Sequence, residues 1–230
     1  MLDRLLSLDY RRRRLLAKTS AGPLHEFMAV PFPGVRDDCR SLRYVALDLE
    51  TTGLDAREDE IISMGWVCLG TGSIDLSTSQ HRLVLPSGDI PEHSAIIHKI
   101  TDDQAAQGEP LAAALSLLLS ALAGTVLIAH HARVEFTFLD AACQRIFGGR
   151  FLIPVVDTQA LAIQQFERGN RAYGGKDLRL AALRERYNLP RYPAHNALSD
   201  ALAAAELFIA QMAQRGRETH LPLRRILSRF

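Results

Sequence analysis

The chain has 230 residues, 47% of them hydrophobic and 23% charged, which predicts a globular domain with a full-sized core and extensions. The formal net charge of +1 excludes the overall basic balance that would by itself point to nucleic acid. Three widely separated cysteines exclude a zinc-binding spacing or a disulfide framework, so we expect a cytoplasmic protein.

Residues 1–42 are predicted to form an N-terminal extension. Leucines at both ends of the first 16 residues indicate an amphipathic helix, and three prolines and a glycine between residues 23 and 34 indicate an irregular linker. The run Arg11–Arg14 is basic, as is the tail at residues 214–230. Such runs are usually solvated, but each would add phosphate affinity if it lay beside a groove. The first residues lack the apolar core of a signal peptide.

The first part of the central region, residues 43–213, predicts strands. Tyr44–Leu49, Ile61–Leu69 and about Ile74–Leu85 are apolar runs, and Gly70 and Gly72 mark a hairpin turn between the last two. We therefore expect an antiparallel meander.

Helices and strands then alternate. Leu111–Leu122 reads as a helix before a strand at Thr125–Ala129, and a helix at about Val134–Phe147 precedes a strand at Ile153–Val156. The uncharged stretch Leu111 to Ala129 approaches the length of a membrane span, but Gly124-Thr125 divides it, and we expect no membrane segment.

Two further helices are predicted at Leu178–Tyr187 and Leu198–Met212. Helix-strand alternation indicates parallel crossover connections. The predicted fold is therefore α/β, with a mixed five-stranded sheet of three antiparallel and then two parallel strands, flanked by helices.

Asp48 and Glu50 stand two residues apart at the end of the first predicted strand. Side chains at i and i+2 of a strand point to the same face, so the two carboxylates project side by side. The turn-forming run Thr51-Thr52-Gly53 follows and leaves them at a strand end, where ligands bind in open α/β sheets. A divalent metal is the first candidate ligand, and an ordinary acidic pair at a strand end is the alternative.

His195 and Asp200 flank the start of the last helix. Five residues advance a continuous helix by about 500°, so the two side chains would not share a face within one. A histidine in the preceding loop and an aspartate in the first helical turns would instead converge, and the helix dipole favours the acid there. Taken singly, a surface histidine and a first-turn aspartate are the simpler interpretations.

The motifs together resemble the histidine-bearing branch of the DEDD exonuclease superfamily, which includes the proofreading epsilon subunits of bacterial DNA polymerase III. The matching segments span about residues 43 to 213 in the family's order. They are Val45–Leu54, Ile97–Thr101, Ala129–Ala132 with Glu135 and Phe138, Val156–Thr158, and His195–Ala201.

This resemblance implies a ribonuclease-H-like fold and removal of nucleoside 5′-monophosphates from the 3′ end of a nucleic acid. It implies two divalent cations, Mg²⁺ or Mn²⁺, held by the carboxylates, which suits the preference of these cations for hard oxygen ligands. The implied ligands are Asp48, Glu50, Glu135 and Asp200. His195 would be the general base, since histidine changes its charge near neutral pH.

The resemblance also implies contacts with the terminal nucleotide. The expected residues are Thr51, Thr52, Gly53, His98, His130 and Phe138, although a structural role is an equal alternative for His98. Asp157 or Thr158 also matches a family strand but reads more simply as a helix N-cap.

The sequence departs from the family at the third carboxylate, where Glu135 stands in place of the usual aspartate and His131 in place of an asparagine. The longer glutamate leaves the metal preference open. Asp140 is a second candidate for this carboxylate, but it lies further along the helix and should face elsewhere.

The expected partner is the 3′ end of a single strand, with DNA favoured over RNA. An exoribonuclease or oligonucleotide-degrading enzyme is the alternative, because the motifs do not distinguish these substrates. An inactive module that binds a nucleic acid or a polymerase is an alternative of another class. The extension at residues 1–42 could bind a polymerase or mediate dimers.

Overall fold

The computed structural model describes residues 7–70, 72–88, 91, 94, 102–215 and 220–228. Five strands form one mixed sheet in the order β3-β2-β1-β4-β5. β1 pairs with β2 and β2 with β3 antiparallel, whereas β4 is parallel to both β1 and β5. The predicted fold class is confirmed. The strands are β1 Arg43–Thr51, β2 Ile61–Gly70, β3 Ser73–Leu83, β4 Val126–Ala129 and β5 Val155–Asp157.

Eight α-helices surround the sheet within the described part of the chain. They are α1 Leu8–Leu16, α2 Pro23–Ala29, α3 Asp102–Ala105, α4 Leu111–Leu122, α5 Arg133–Phe147, α6 Thr158–Arg168, α7 Leu180–Arg186 and α8 Ala197–Gln214. The uncharged stretch at 111–129 is thus a helix followed by the short strand β4, as predicted. Among the described residues, no helix combines the length and the apolar character needed to cross a membrane.

The central strand β1 divides the core into two layers because its side chains alternate between the faces of the sheet. Val45 and Leu47 pack with α2, α4 and α5 on one face. Tyr44 and Ala46 pack with α8 on the other. Asp48 and Glu50 continue the alternation of Tyr44 and Ala46 along β1. Both carboxylates therefore point to the face of the sheet that α8 covers.

The N-terminal extension contributes to the main core. The prediction of an irregular linker is wrong for residues 23–29, because Pro23 occupies the first turn of α2, where its missing N–H costs nothing. Leu24, Phe27 and Met28 of this helix are fully buried in the cluster beneath α4 and α5. The buried guanidinium of Arg12 donates to the carbonyl of Met28 and joins α1 to α2.

The C-terminal segment also packs against the domain. Leu221, Leu223 and Ile226 are buried against the α8 side of the core. The Ser228 backbone N–H donates to the Val155 carbonyl at 2.8 Å, so this segment follows the edge strand β5. The division at residues 42 and 213 remains a prediction from the sequence.

The substitution Phe27→Ala should destabilise the whole domain, because it opens a cavity in the shared core. We expect a loss of about 3–5 kcal/mol in the free energy of unfolding, measured by urea denaturation. Val30→Ala, at a more exposed position one residue beyond the same helix, is the control. An equal, small effect of the two substitutions would show that α2 is dispensable.

Candidate metal centre

Two carboxylates meet at the end of β1. Glu50 is buried, and Asp48 is partly buried two residues before it on the same face. A small irregularity in the pairing with β2 follows between Glu50 and Thr51, where the strand ends. The strand therefore delivers both side chains to one point at its carboxyl end.

A third carboxylate arrives from the first turn of α8. Asn196 caps this helix by accepting the N–H of Ser199, and Asp200 lies in its first turn. The carboxylate of Asp200 accepts the backbone N–H of His195 at 2.7 Å. His195 has a φ of +67°, an uncommon conformation for a residue other than glycine, and its side chain is exposed in the loop. The predicted arrangement of loop histidine and first-turn aspartate is what the structure contains.

Gly65 allows α8 to approach the sheet. It pairs with Asp48 in the register of β1 and β2. A Cβ atom at this position would lie 2.1 Å from the carbonyl carbon of Ala197 and 2.1 Å from the nitrogen of Leu198. Only glycine therefore lets the start of the helix lie directly on the strand next to Asp48. Sequence reasoning missed Gly65, although a glycine inside a strand pattern is a known sign of close backbone approach.

The three carboxylates form a compact cluster. Asp48, Glu50 and Asp200 each offer an oxygen, and these oxygens lie within 4.8 Å of one another. Burial, followed by the charges of Glu135, Glu50 and Asp200, raises the pKa of Asp48 well above its ordinary value. Burial also raises the pKa of Asp200. Such mutual repulsion is relieved by a cation.

Glu135 reaches the cluster from the first turn of α5. It is only 4% exposed, and its Oε2 atom accepts no hydrogen bond from the part of the chain that the structure describes. Burial, together with the charges of Asp157 and Glu50, raises the pKa of Glu135 to about 8. Its charge also affects Asp48 more than the charges of Glu50 and Asp200 do. Glu135 therefore lies close enough for its charge to act on the cluster.

Asp157 fixes the turn from which Glu135 projects. Its carboxylate accepts the backbone N–H groups of His131 at 3.0 Å and Ala132 at 3.2 Å, just before α5. The same carboxylate caps α6 through the N–H of Gln159 at 2.9 Å. The sequence interpretation of Asp157 as an N-cap is confirmed, but its bonds to the start of the neighbouring helix were not predicted.

Asp140 belongs to a different interaction. Its carboxylate binds the guanidinium of Arg150 at 2.9 Å and accepts the backbone N–H of Phe151 at 2.9 Å. These contacts hold the turn after α5 against that helix. The structure therefore favours Glu135 over Asp140 as the carboxylate of the cluster.

The loop after β1 is organised around Asp59. The Thr52 hydroxyl lies 3.1 Å from the Asp59 carboxylate, which also accepts the backbone N–H of Asp55 at 2.8 Å. Gly53 leaves room for that carboxylate, since a Cβ there would lie 2.4 Å from it. The Thr51 hydroxyl donates to the Gly53 carbonyl at 2.6 Å. The loop beside the cluster is thus held in one shape, although its contact with a nucleotide remains a prediction.

The other predicted substrate contacts lie in different environments. His130 uses both ring nitrogens within the protein: Nε2 donates to the Leu178 carbonyl at 2.9 Å, and Nδ1 is 2.8 Å from the Thr158 hydroxyl. Burial lowers the pKa of His130, which suits this neutral, bonded ring. Phe138 is 2% exposed and packs in the core. These positions favour structural roles for both residues, and His98 lies outside the described residues.

Ser63 and His81 form a hydrogen-bonded pair on the strands next to Glu50. Ser63 faces Glu50 in the register of β1 and β2, and its hydroxyl lies 2.9 Å from Nε2 of His81 on β3. Burial lowers the pKa of His81, while the charge of Glu50 acts in the opposite direction. Nothing in the sequence pattern pointed to this pair, because the three residues come together only through the pairing of the strands.

The residues of the cluster fit divalent cations. All donors are hard carboxylate oxygens, which suit Mg²⁺ and Mn²⁺. The buried Oε2 atom of Glu135 is a further sign, because a buried acceptor that takes no hydrogen bond is costly unless something else binds it. The cluster therefore has the donor atoms that a divalent-cation site requires.

Comparison with known proteins defines the class further. Residues 45–208 match the family model described as Exonuclease. The DNA polymerase III subunit epsilon of Treponema pallidum is 33% identical over 175 residues, which are 76% of this chain and 79% of that protein. The DNA polymerase III PolC-type of Thermotoga petrophila is 32% identical over 166 residues, which are 72% of this chain but only 12% of that much longer protein.

The fold has matches among solved structures as well. The nuclease domain of 3′hExo, described as a DEDDh family member bound to rAMP, superimposes with a TM-score of 0.64 at 18% identity. The match covers 78% of this chain and 95% of that one. The chain belongs to the exonuclease family defined by the matching model.

The substitution Gly65→Ala should disrupt the metal centre while leaving most of the fold intact. The added Cβ must push the start of α8, and with it Asp200, away from Asp48. We expect Mn²⁺ affinity, measured by isothermal titration calorimetry, to fall by about tenfold or more, as for the loss of one supporting contact. Gly70→Ala on the same strand meets no atom within 4 Å and is the matched control. Unchanged affinity in Gly65→Ala would refute the close-approach argument.

The raised pKa of Glu135 predicts that the metal-free protein loses stability as pH rises. Its protonated form is favoured in the folded state, so this contribution is complete below the ordinary pKa of 4.5 and is lost as pH approaches about 8. Urea denaturation at pH 5 and pH 8 should show the loss in the wild type and a smaller loss in Glu135→Gln. Mg²⁺ or Mn²⁺ should reduce the difference. A stability that rises over this range equally in both proteins would contradict the assignment.

Proposed function

We propose that this protein is a metal-dependent 3′–5′ exonuclease that releases nucleoside 5′-monophosphates from single-stranded DNA. The observation that carries the proposal is the convergence of Asp48, Glu50 and Asp200 within 4.8 Å, with Glu135 buried beside them. Membership of the exonuclease family supports this interpretation of the cluster. Acidic clusters also occur without function, but repulsion between buried carboxylates is a cost that binding of cations would remove.

We assign two divalent cations, Mg²⁺ or Mn²⁺, to the four carboxylates. Asp48 would help to hold both, and this is supported by the charges of Glu135, Glu50 and Asp200, which all act on its carboxylate. Bound cations would neutralise the phosphate oxygens, activate a water and stabilise the leaving oxygen. The extra methylene of Glu135, compared with aspartate, would extend the reach of its carboxylate from the first turn of α5.

His195 is the proposed general base. Its backbone N–H binds Asp200, so the loop that carries the imidazole is attached to the carboxylate cluster itself. The side chain is exposed at the surface of the site, where it can receive a proton and pass it to solvent. The positive φ of His195 is part of this arrangement, since it turns the chain from the loop into α8.

The proposed substrate is single-stranded DNA. The support is the epsilon subunit of DNA polymerase III from Treponema pallidum, which aligns over most of its length. RNA is the second candidate, because the structural relative 3′hExo was determined with rAMP bound. The motifs themselves do not select between them, since recognition of the 2′-OH depends on local contacts.

The alternative of an inactive binding module would require a damaged site. Here Asp48, Glu50 and Asp200 converge, the charge of Glu135 acts on Asp48, and the backbone N–H of His195 binds Asp200, which supports an intact site. A replicative role and a polymerase partner also remain proposals, because the chain spans about 12% of the length of the PolC-type relatives. The N-terminal helices, which are packed into the core, would have to offer their outer faces to such a partner.

The substitution Asp48→Asn should abolish nucleotide release, because it removes the charge of the residue that is coupled to all other ligands. We expect the rate with a 5′-labelled single strand and Mn²⁺ to fall by a factor of about 10³ or more, a loss of about 4 kcal/mol of transition-state stabilisation. Asp75→Asn, an exposed acid on β3, is the control. Release of nucleotides by Asp48→Asn at the wild-type rate would overturn the proposed centre.

Matched DNA and RNA strands of one sequence test the choice of substrate. We expect stepwise shortening from the 3′ end in both cases and a higher kcat/KM for DNA. A 5′ label should remain on progressively shorter products, whereas a 3′ label should be released as a mononucleotide at once. A higher kcat/KM for RNA would replace the DNA proposal by the exoribonuclease alternative.

A further inference from the structure

A groove of about 870 Å³ runs along the outer edge of the sheet, beside β5. We call it the edge groove. Its walls are α1, the segment at residues 150–155 and the last described residues, Leu227 and Ser228. It lies outside the carboxylate cluster and is not used by the chemistry proposed above.

Helix α1 divides the basic run Arg11–Arg14 between two environments. Arg12 is buried and bonded to Met28 and Asp9, and Arg13 forms an ion pair with Asp9 at 2.8 Å. Arg11 and Arg14 instead line the edge groove. Lys18, seven residues beyond Arg11 and in the turn after α1, lines it too. The cations of the groove thus follow one face of the helix.

The edge groove combines this basic rim with an apolar floor. Arg150 adds a fourth cation, which is 63% exposed while it contacts Asp140. No acidic side chain lines the groove within the described part of the chain. The floor includes the half-buried ring of Phe136, which packs 5.8 Å from Phe151. Cations beside a partly exposed aromatic ring suit a single strand of nucleic acid, with phosphates on the rim and a base against the ring.

Helix α5 connects the edge groove to the metal centre. Phe136 of the groove directly follows Glu135 of the cluster, so the two sites lie on neighbouring faces of one helical turn. A helix is about 10 Å across, and a stacked strand carries one phosphate per about 3.4 Å. About three nucleotides would therefore bridge the distance. Arg133 is exposed at the start of α5, three residues before Phe136 and so on the same side of the helix.

We propose that the edge groove holds the upstream part of the single strand whose 3′ end lies at the carboxylate cluster. This proposal rests on the proposed function and adds a binding tract to it. Arg11, Arg14 and Lys18 contact phosphates, and Phe136 contacts a base. An acidic segment of a protein partner would match the same charges, but the continuity with Glu135 along α5 favours the substrate strand.

The test compares two double variants with equal loss of charge. Arg11→Gln/Lys18→Gln changes the groove, whereas Arg13→Gln/Arg43→Gln changes exposed cations elsewhere on α1 and at the start of β1. Binding of a fluorescent 12-nucleotide single strand is measured by anisotropy without divalent metal across a salt series. The groove variant should bind about tenfold more weakly at 0.1 M salt, and its salt slope should fall by about 1.4 relative to wild type. The control should bind like the wild type.

Turnover of p-nitrophenyl thymidine 5′-monophosphate separates this proposal from the proposed function. This small phosphodiester does not reach the edge groove, so the groove variant should hydrolyse it at the wild-type rate. The wild-type protein could hydrolyse neither the small phosphodiester nor the 12-nucleotide strand, while the groove variant alone binds that strand more weakly. In that case the proposed function fails and the groove proposal stands. Equal affinities of the two double variants overturn the groove proposal.

Discussion

Repulsion among buried carboxylates is the constraint on which the rest of this structure depends. Asp48, Glu50, Glu135 and Asp200 come from three different elements, and burial opposes the charge of several of them. Without cations, burial and mutual repulsion raise the pKa values of Asp48, Glu135 and Asp200 and so favour their protonated forms. The scaffold must therefore hold the four side chains together against this repulsion, and divalent cations bound there would relieve it.

Three backbone features supply the necessary rigidity. β1 is the central strand of the sheet, and the side chains that point to its other face, Val45, Leu47 and Leu49, are buried in the core. Asp48 and Glu50 therefore cannot turn away from the site. Gly65 lets the start of α8 lie against the sheet and brings Asp200 with it. Asp157 binds the turn before α5 and the start of α6 at once, which fixes the helix that carries Glu135. Each of these features sets a distance within the site.

The sequence predicted what depends on periodicity and on local motifs. Strand parity placed Asp48 and Glu50 together, and the loop-to-helix spacing of His195 and Asp200 was interpreted correctly. It missed the helix at residues 23–29, because a proline in the first turn of a helix resembles a linker signal. It missed Gly65, the Ser63–His81 pair and the second role of Asp157, because these depend on strand register and on contacts between distant segments. The assignment of the basic run was also open, since only the structure shows which arginines α1 buries and which it directs to the edge groove.

The central claim is that the four carboxylates hold divalent cations in the geometry of a nuclease. A crystal structure of the protein grown with Mn²⁺ and a nucleoside 5′-monophosphate tests it most directly, because the anomalous signal of manganese locates the ions independently of the protein atoms. We predict two manganese peaks, with Asp48 bound to both and Glu135 among the ligands. Manganese bound elsewhere, with the carboxylates of Asp48, Glu50 and Asp200 left without an ion at saturating metal, would contradict the account.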